Sequence, residues 1–264
     1  MNYGPAFLLV AVRALAMIET APLLSSDAIP QTAKIALAGF AAYAAFPAAA
    51  ASAVGIWRTE PGVLNFVFLL IGEGLIGLIT GFFITIIFAA FTTAGQFFSL
   101  QMGFGASETF DPLSQIENPL MGQYLNMVAM LVFLTVGGFR ELFIGGFWRS
   151  LQTINILSLV EGREHVLSMF LSGLSRLFLD AMIISLPILG TLFLTSLATG
   201  LISKAAPQIN ILSEGFPISI TVAFLLIFFS LPFMVEAFGR VVDAGFTAIE
   251  TLYIRIGEPI GEGL

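Results

Sequence analysis

The chain has 264 residues, 58% of them hydrophobic and 10% charged, with a formal net charge of −7 and no cysteine. Soluble globular domains carry roughly 25% charged residues, so composition excludes a water-soluble globule; without a Lys/Arg cluster it also excludes a nucleic-acid binder and a polybasic lipid anchor. Disulfides, thiolate catalysis and iron–sulfur clusters are excluded with the cysteines, and what remains is one all-α membrane domain of about six to eight helices with no room for a sizeable soluble domain.

The first apolar run, Gly4 to Leu24, has no basic stretch before it and carries Arg13 and Glu19 inside it, a poor pattern for a cleavable signal peptide. A helix is predicted from about Pro5 to Ala21, closed by the loop Pro22–Pro30 (PLLSSDAIP). Arg13 and Glu19 lie on different sides of that helix, so Arg13 must find its partner on another segment or another chain. It reads either as an internally paired or snorkelling structural arginine, or as a subunit-contact or pathway residue. The second helix, from about Gln31 to Val54, is nearly an alanine rod broken by Pro47; its small side chains permit close helix approach. The turn Trp57–Gly62 ends it, with Trp57 and Arg58 as an interfacial anchor.

Val63 to Met102 contains no proline and no charge except Glu73. Forty helical residues extend about 60 Å, twice the roughly 30 Å hydrocarbon slab. Either the run turns back near Thr92–Gly95, or it is not an ordinary lipid span. Glu73, Gly77 and Gly81 share one helical stripe, which marks a tight helix contact; Glu73 is an interface-paired acid or a functional one.

The stretch from Gln96 to Pro119 gathers Gly, Ser, Asp, Asn, Pro and the carboxylates Glu108, Asp111 and Glu117. Gly103 and Gly105 bracket Phe104, a bulky ring between two hinges, and Asp111-Pro112 reads as a turn. Irregular backbone survives at membrane depth only when protein covers it or it lines a cavity. This loop is therefore an aqueous connection or a gate.

Helices are predicted for Pro119–Val136 and for Phe139 to about Leu159, separated by Gly137-Gly138. The patch Glu161–His165 holds the single histidine, which with no second ligand in HExxH-type spacing gives no metal site. Val166–Ser203 is again over-long, with Pro187 as its kink or turn, and carries Arg176 and Asp180 at intrahelical pairing distance. An irregular loop, Lys204–Pro217, precedes a last run, Ile218–Ile256, broken by Pro232, where Glu236, Arg240 and Asp243 form a self-neutralising polar face. The basic residues stand almost singly, so the positive-inside rule assigns no topology. Over-long apolar runs and poor charge bias together suggest that protein, rather than lipid, covers much of the apolar surface.

Three motifs carry a resemblance. Arg13–Pro30 (RALAMIETAPLLSSDAIP), with Pro22 and Pro30, looks like the opening of the FliR family of flagellar biosynthesis proteins and their injectisome counterparts. Gly95–Pro112 (GQFFSLQMGFGASETFDP) is similar to that family's central motif, departing from it where Ser99 and Leu100 follow Phe98 in place of an acid. Ala198–Pro217 resembles its third hallmark, with Pro207, Gln208 and Asn210 followed by Gly215, Phe216 and Pro217.

The resemblance implies a core subunit of the bacterial flagellar type III export gate, forming with FliP-like and FliQ-like subunits, and beside FlhB-like and FlhA-like components, the pore for unfolded export substrates. It implies an all-α, membrane-associated fold of long broken helical hairpins, one domain over residues 1–264. Residues 1–160 would be the FliP-like part, with a plug loop at 102–118, and 161–264 the FliQ-like part. Met102, Gly103, Phe104, Gly105, Phe110, Asp111 and Pro112 map onto the plug. The location implied is the inner membrane at the flagellar basal body, with part of the chain raised toward the periplasm; no cofactor is implied. Two alternatives stand beside it. One is an injectisome gate subunit. The other is an ion-coupled secondary transporter using Arg13, Glu73, Asp180 and Glu236 at the midplane, although the inverted repeat of such proteins is limited to a faint echo between APLLSSDAIPQ and APQINILSEGFP. A hydrolase lacks its GxSxG or HExxH pattern.

Overall fold

A computed structural model describes residues 3–52, 62–103, 120–205 and 211–257. Every regular element among them is helical: α1 (Tyr3–Thr20), α2 (Gln31–Ser52), α3 (Val63–Met102), α4 (Leu120–Thr135), α5 (Gly138–Thr153), α6 (Ile156–Glu161), α7 (Arg163–Ala205) and α8 (Ile211–Gly257). The middle of α5, Glu141–Trp148, is wound as a π-helix. Trp57 and Arg58 lie outside the described residues.

The apolar run from Val63 is one uninterrupted helix of 40 residues, with no turn at Thr92–Gly95. It has no proline, and Thr80 and Thr85 return their hydroxyls to helix carbonyls, Thr80 to Ile76 at 2.9 Å and Thr85 to Gly81 at 3.1 Å. Pro47 and Pro232, expected to break helices, do not, the chain makes no turn at Pro187, and Pro217, expected to end a loop, is helical. Pro47 sits inside α2, Pro187 inside α7, and Pro217 and Pro232 inside α8. A proline removes one ladder hydrogen bond, but in apolar surroundings no water competes for the remainder, and the helix continues on either side. Thr191 and Thr221 donate to the carbonyls of Pro187 and Pro217 at 2.9 and 2.8 Å. The last helix therefore begins seven residues earlier than expected and takes in Gly215, Phe216 and Pro217. The patch at Glu161–His165 is likewise nearly all helix, with only Gly162 between α6 and α7. Gly137, at φ 77°, is the left-handed residue that ends α4 and starts α5.

The helices α3, α7 and the Pro217–Ile256 stretch of α8 are long and apolar enough to cross a membrane, and α4 with α5 makes a fourth candidate if the pair is one span.

The chain divides into two compact units. The first takes Met1–Ile87, Leu134–Leu174 and Val242–Leu264. Its core holds Val10, Ala14, Met17 and Ile18 of α1 and Ile76 and Ile84 of α3, with Phe83 against Phe170 (6.3 Å between ring centres). The second takes Phe88–Phe133 and Ser175–Val241. An aromatic chain fills it: Phe133 meets Phe88 at 5.3 Å, Phe88 meets Phe91 at 6.1 Å, and Phe91 meets Phe238 at 4.4 Å. Such edge-on and tilted pairs add about 0.5–1.5 kcal/mol each beyond area burial.

In this second unit α3 and α4 touch backbone to backbone. A Cβ on Gly95 would lie 2.5 Å from the Met121 carbonyl oxygen and 2.6 Å from the Gly122 Cα. Gly95→Ala is expected to lower the stability of the purified protein by about 1–3 kcal/mol through overpacking. Gly39, with nothing within 4 Å of its Cβ position, is the control: Gly39→Ala is expected to be neutral or to stabilise by up to about 1 kcal/mol, from helix propensity alone. Thermal unfolding in detergent measures both.

Candidate functional site

The first unit is built around a guanidinium sealed from water. Arg13, from the middle of α1, is 2% exposed, and Glu73 of α3 is 6% exposed. Arg13 Nε donates to Glu73 Oε2 at 2.6 Å, Nη1 to Ser150 Oγ at 3.2 Å, and Nη2 to the Ile154 carbonyl at 3.1 Å. Each partner has a reason to be there. Ile154 is extended (φ −117°, ψ 129°) at the break between α5 and α6, so its carbonyl has left the helix ladder and needs a donor. Asn155 then caps α6, its side chain accepting from the Ser158 N–H at 2.8 Å while Ser158 Oγ accepts from the Asn155 N–H at 3.0 Å. Ser150 passes its own hydroxyl proton to the Phe147 carbonyl at 2.7 Å, leaving its lone pairs to the arginine.

The glycine stripe brings the pair together. A methyl group on Gly77 would run into the Arg13 carbonyl, and one on Gly81 would lie 2.7 Å from the Met17 carbonyl oxygen. One turn further, Thr85 donates to the Thr20 carbonyl at 2.6 Å. Glu73, Gly77, Gly81 and Thr85 thus form one ridge along α3 that meets α1 in ascending order, so the two helices run parallel with backbones in contact. Thr85 extends a stripe whose first three members were visible by spacing. Further along, Thr80 is hydrogen-bonded to the buried Tyr253 hydroxyl of α8 at 2.8 Å, and Arg149 of α5 pairs with Glu250.

Sequence spacing missed a second buried cation. Lys34 Nζ pairs with Glu19 Oε2 at 3.2 Å and donates to the Ser25 carbonyl at 3.1 Å, tying the Pro22–Pro30 loop to α2. The two residues face each other across a reversal of the chain, which helical periodicity does not register; the available signal was that Glu19 could not face Arg13. The loop is strained at Leu23, a non-glycine residue at φ 72°. Pro30 stands at the head of α2, its carbonyl accepting from the Ala33 N–H at 2.9 Å, and Pro22 is half-buried.

The other polar candidates form local pairs. Arg176 and Asp180 are 3.7 Å apart on α7, and Glu236 and Arg240 are 3.4 Å apart on α8 with both side chains exposed. His165 is exposed near the start of α7. Of the central motif, Met102 is buried at the last turn of α3 and Gly103 follows at φ 88°. Phe104, Gly105, Phe110, Asp111 and Pro112 lie outside the described residues, as do Pro207, Gln208 and Asn210. Among the described residues no group of His, Cys, Asp and Glu is placed to hold a metal. The node at Arg13 can clamp α1, α3 and the α5–α6 break together; enclosed as it is, it offers no group to a substrate.

Residues 5–245 match the sequence pattern of a family described as bacterial export proteins, family 1. The chain is 33% identical over 215 residues to the flagellar biosynthetic protein FliR of Escherichia coli K12, covering 81% of this chain and 80% of that one. It is 30% identical to FliR of Bacillus subtilis 168, covering 84% and 85%. With the surface presentation of antigens protein SpaR of Shigella flexneri it shares 29% identity over 61% of each chain.

Removing one member of a buried ion pair leaves the other charge uncompensated, at about 3–5 kcal/mol. Arg13→Met is therefore expected to lower stability by that amount, and Arg13→Met with Glu73→Leu by clearly less, because the pair is removed together. Chemical unfolding of the detergent-solubilised single and double variants measures the difference; equal losses would show that the two charges are not coupled.

Proposed function

We propose that this chain, which belongs to the bacterial export proteins of family 1, forms the pore of a flagellar type III export gate with FliP-like and FliQ-like subunits and closes it with the segment Met102–Pro112. The coarser statement needs no proposal: its relatives and its apolar helices point to an inner-membrane component of the type III export system, a structural part rather than an enzyme. The finer reading adds the partners, including FlhB-like and FlhA-like components, and the unfolded substrates. It also adds a position at the basal body, partly raised toward the periplasm, and a FliP-like half (1–160) fused to a FliQ-like half (161–264).

One observation carries the plug. A 40-residue helix without a break runs up to Met102 and stops at Gly103, whose left-handed backbone turns the chain out of the helix where the polar, glycine-containing stretch begins. A rigid rod ending in a glycine hinge is what a movable constriction requires, and a thioether and a ring (Met102, Phe104) suit a hydrophobic gate that closes by dewetting. The flagellar form is favoured over the injectisome form because the flagellar relatives match 69–93% of the chain, against 61% for SpaR. The transporter alternative loses support because Arg13 and Glu73 are spent on each other and sealed from water.

Deleting Gly103–Thr109 is expected to leave the assembled complex intact but leaky, with ion conductance across reconstituted bilayers rising well above the closed background. Unchanged conductance would remove the plug assignment. Glu73→Gln, which loosens the clamp under α5, is expected to reduce co-purification with a FliP-like partner. Intact assembly with lost export would instead place Glu73 on the export path.

A further inference from the structure

The winding of α5 changes just before it meets the buried arginine. At its start the ladder is short: the Glu141 N–H reaches the carbonyls of Gly137 and Gly138, four and three residues back. Over Glu141–Trp148 the helix is π-wound, and at the far end the Arg149 N–H donates to the carbonyls of Ile144 and Gly146, five and three residues back. A π turn closes on the fifth residue instead of the fourth, so the segment holds one residue more than α winding would place there. This winding accounts for under about 1% of residues in folded proteins, so something has to hold it.

The segment's own sequence does not. ELFIGGFW contains no proline, and its large side chains all accept α winding. The contacts that follow it do. Arg149 pairs with Glu250 of α8, Ser150 Oγ accepts from Arg13 Nη1, and the Ile154 carbonyl accepts from Arg13 Nη2. At the other end of the segment Leu142 is fully buried in the core. If the segment rewound to α, everything after it would turn by about 100° and advance by about 1.5 Å relative to everything before it. Ser150 and Ile154 would then no longer face Arg13, and Arg149 would leave Glu250.

We infer that Glu141–Trp148 is a register switch. The contacts of Arg149, Ser150 and Ile154 keep it π-wound, and on losing them it rewinds to α and turns the end of α5 away from α1. The buried arginine thereby selects which side of α5 faces α1 and α3. Gly145 can serve as the surplus residue: a Cβ there would meet only Glu141 Oε2, 3.2 Å away, so no packing against another helix is lost with it. The inference does not depend on the plug or on any partner, and its failure would leave the export-gate reading untouched.

The test uses the full-length chain, which has no cysteine, so spin labels attach only where cysteines are introduced. One label goes on Gln152 near the end of α5, paired in turn with Leu8 on α1 and Ile35 on α2, all exposed positions. Pulsed electron paramagnetic resonance in detergent reads the two distances. At about 5 Å from a helix axis, a turn of about 100° carries a surface atom by about 8 Å. Arg13→Met with Glu73→Leu removes the arginine without stranding its counter-charge, and Glu250→Gln removes the last contact. In that triple variant at least one distance is expected to shift by about 4–8 Å, with unchanged circular dichroism as the check on folding. A chain lacking Gly145 is expected to keep both original distances, and to keep them when the three substitutions are added, because no surplus residue remains to release. Unchanged distances in a folded triple variant would overturn the inference. So would a shift or unfolding caused by deleting Gly145 alone, and that deletion decides by itself if the triple variant does not fold.

Discussion

A chain with so few charges cannot afford to leave one unpaired out of water. Arg13 meets that constraint with three hydrogen bonds to groups from three places in the sequence: a carboxylate on α3, a hydroxyl on α5 and a backbone carbonyl released where α5 gives way to α6. The Glu73 carboxylate and the Ile154 carbonyl would be left without their donor if the arginine were absent, while Ser150, already bonded to the Phe147 carbonyl, lends it a lone pair. The node is therefore closed in both directions, and the placement of α1, α3 and α5 in the first unit is tied to one side chain.

Close backbone contact is the second device, and it follows from the same environment. Where lipid tails are as apolar as leucine, helices gain little by burying leucine against each other, and packing distance decides. Gly77 and Gly81 let α1 lie on α3 close enough for the Thr85 hydroxyl to reach the Thr20 carbonyl, and Gly95 does the same for α3 on α4 in the second unit. Gly72 admits Ile156 against α3, beside the carbonyl that Arg13 holds. The large side chains left over, among them Phe228, Phe229 and Phe233 on α8 and Phe193 and Leu194 on α7, remain exposed in the single chain. Such a surface requires lipid or protein against it.

The persistence of α7 and α8 through their prolines belongs to this picture. In water an internal proline ends a helix because solvent satisfies the freed carbonyl and the chain is released. In an apolar setting the remaining hydrogen bonds have no competitor, and helix is the cheapest state for the backbone on both sides. Long helices result, and two of the positions where a helix ends are glycines with positive φ, Gly103 and Gly137.

Composition and spacing by themselves determined the all-α membrane class, the shared face of Glu73, Gly77 and Gly81, and the local pairs at Arg176 and Arg240; three motifs carried the resemblance to the family, and the sequence left open whether the run from Val63 turns back. The class, the shared face and the pairs are periodic or compositional, and a helix writes them into sequence at intervals of three and four residues. Only the tertiary structure decided the partners of Arg13, the Lys34–Glu19 pair, the π-wound segment at Glu141–Trp148, and helices that continue through Pro187, Pro217 and Pro232. The reason is physical: two charges 60 residues apart leave no periodic trace, and a proline's effect depends on whether water reaches the carbonyl it frees, which the chain settles only when its helices pack.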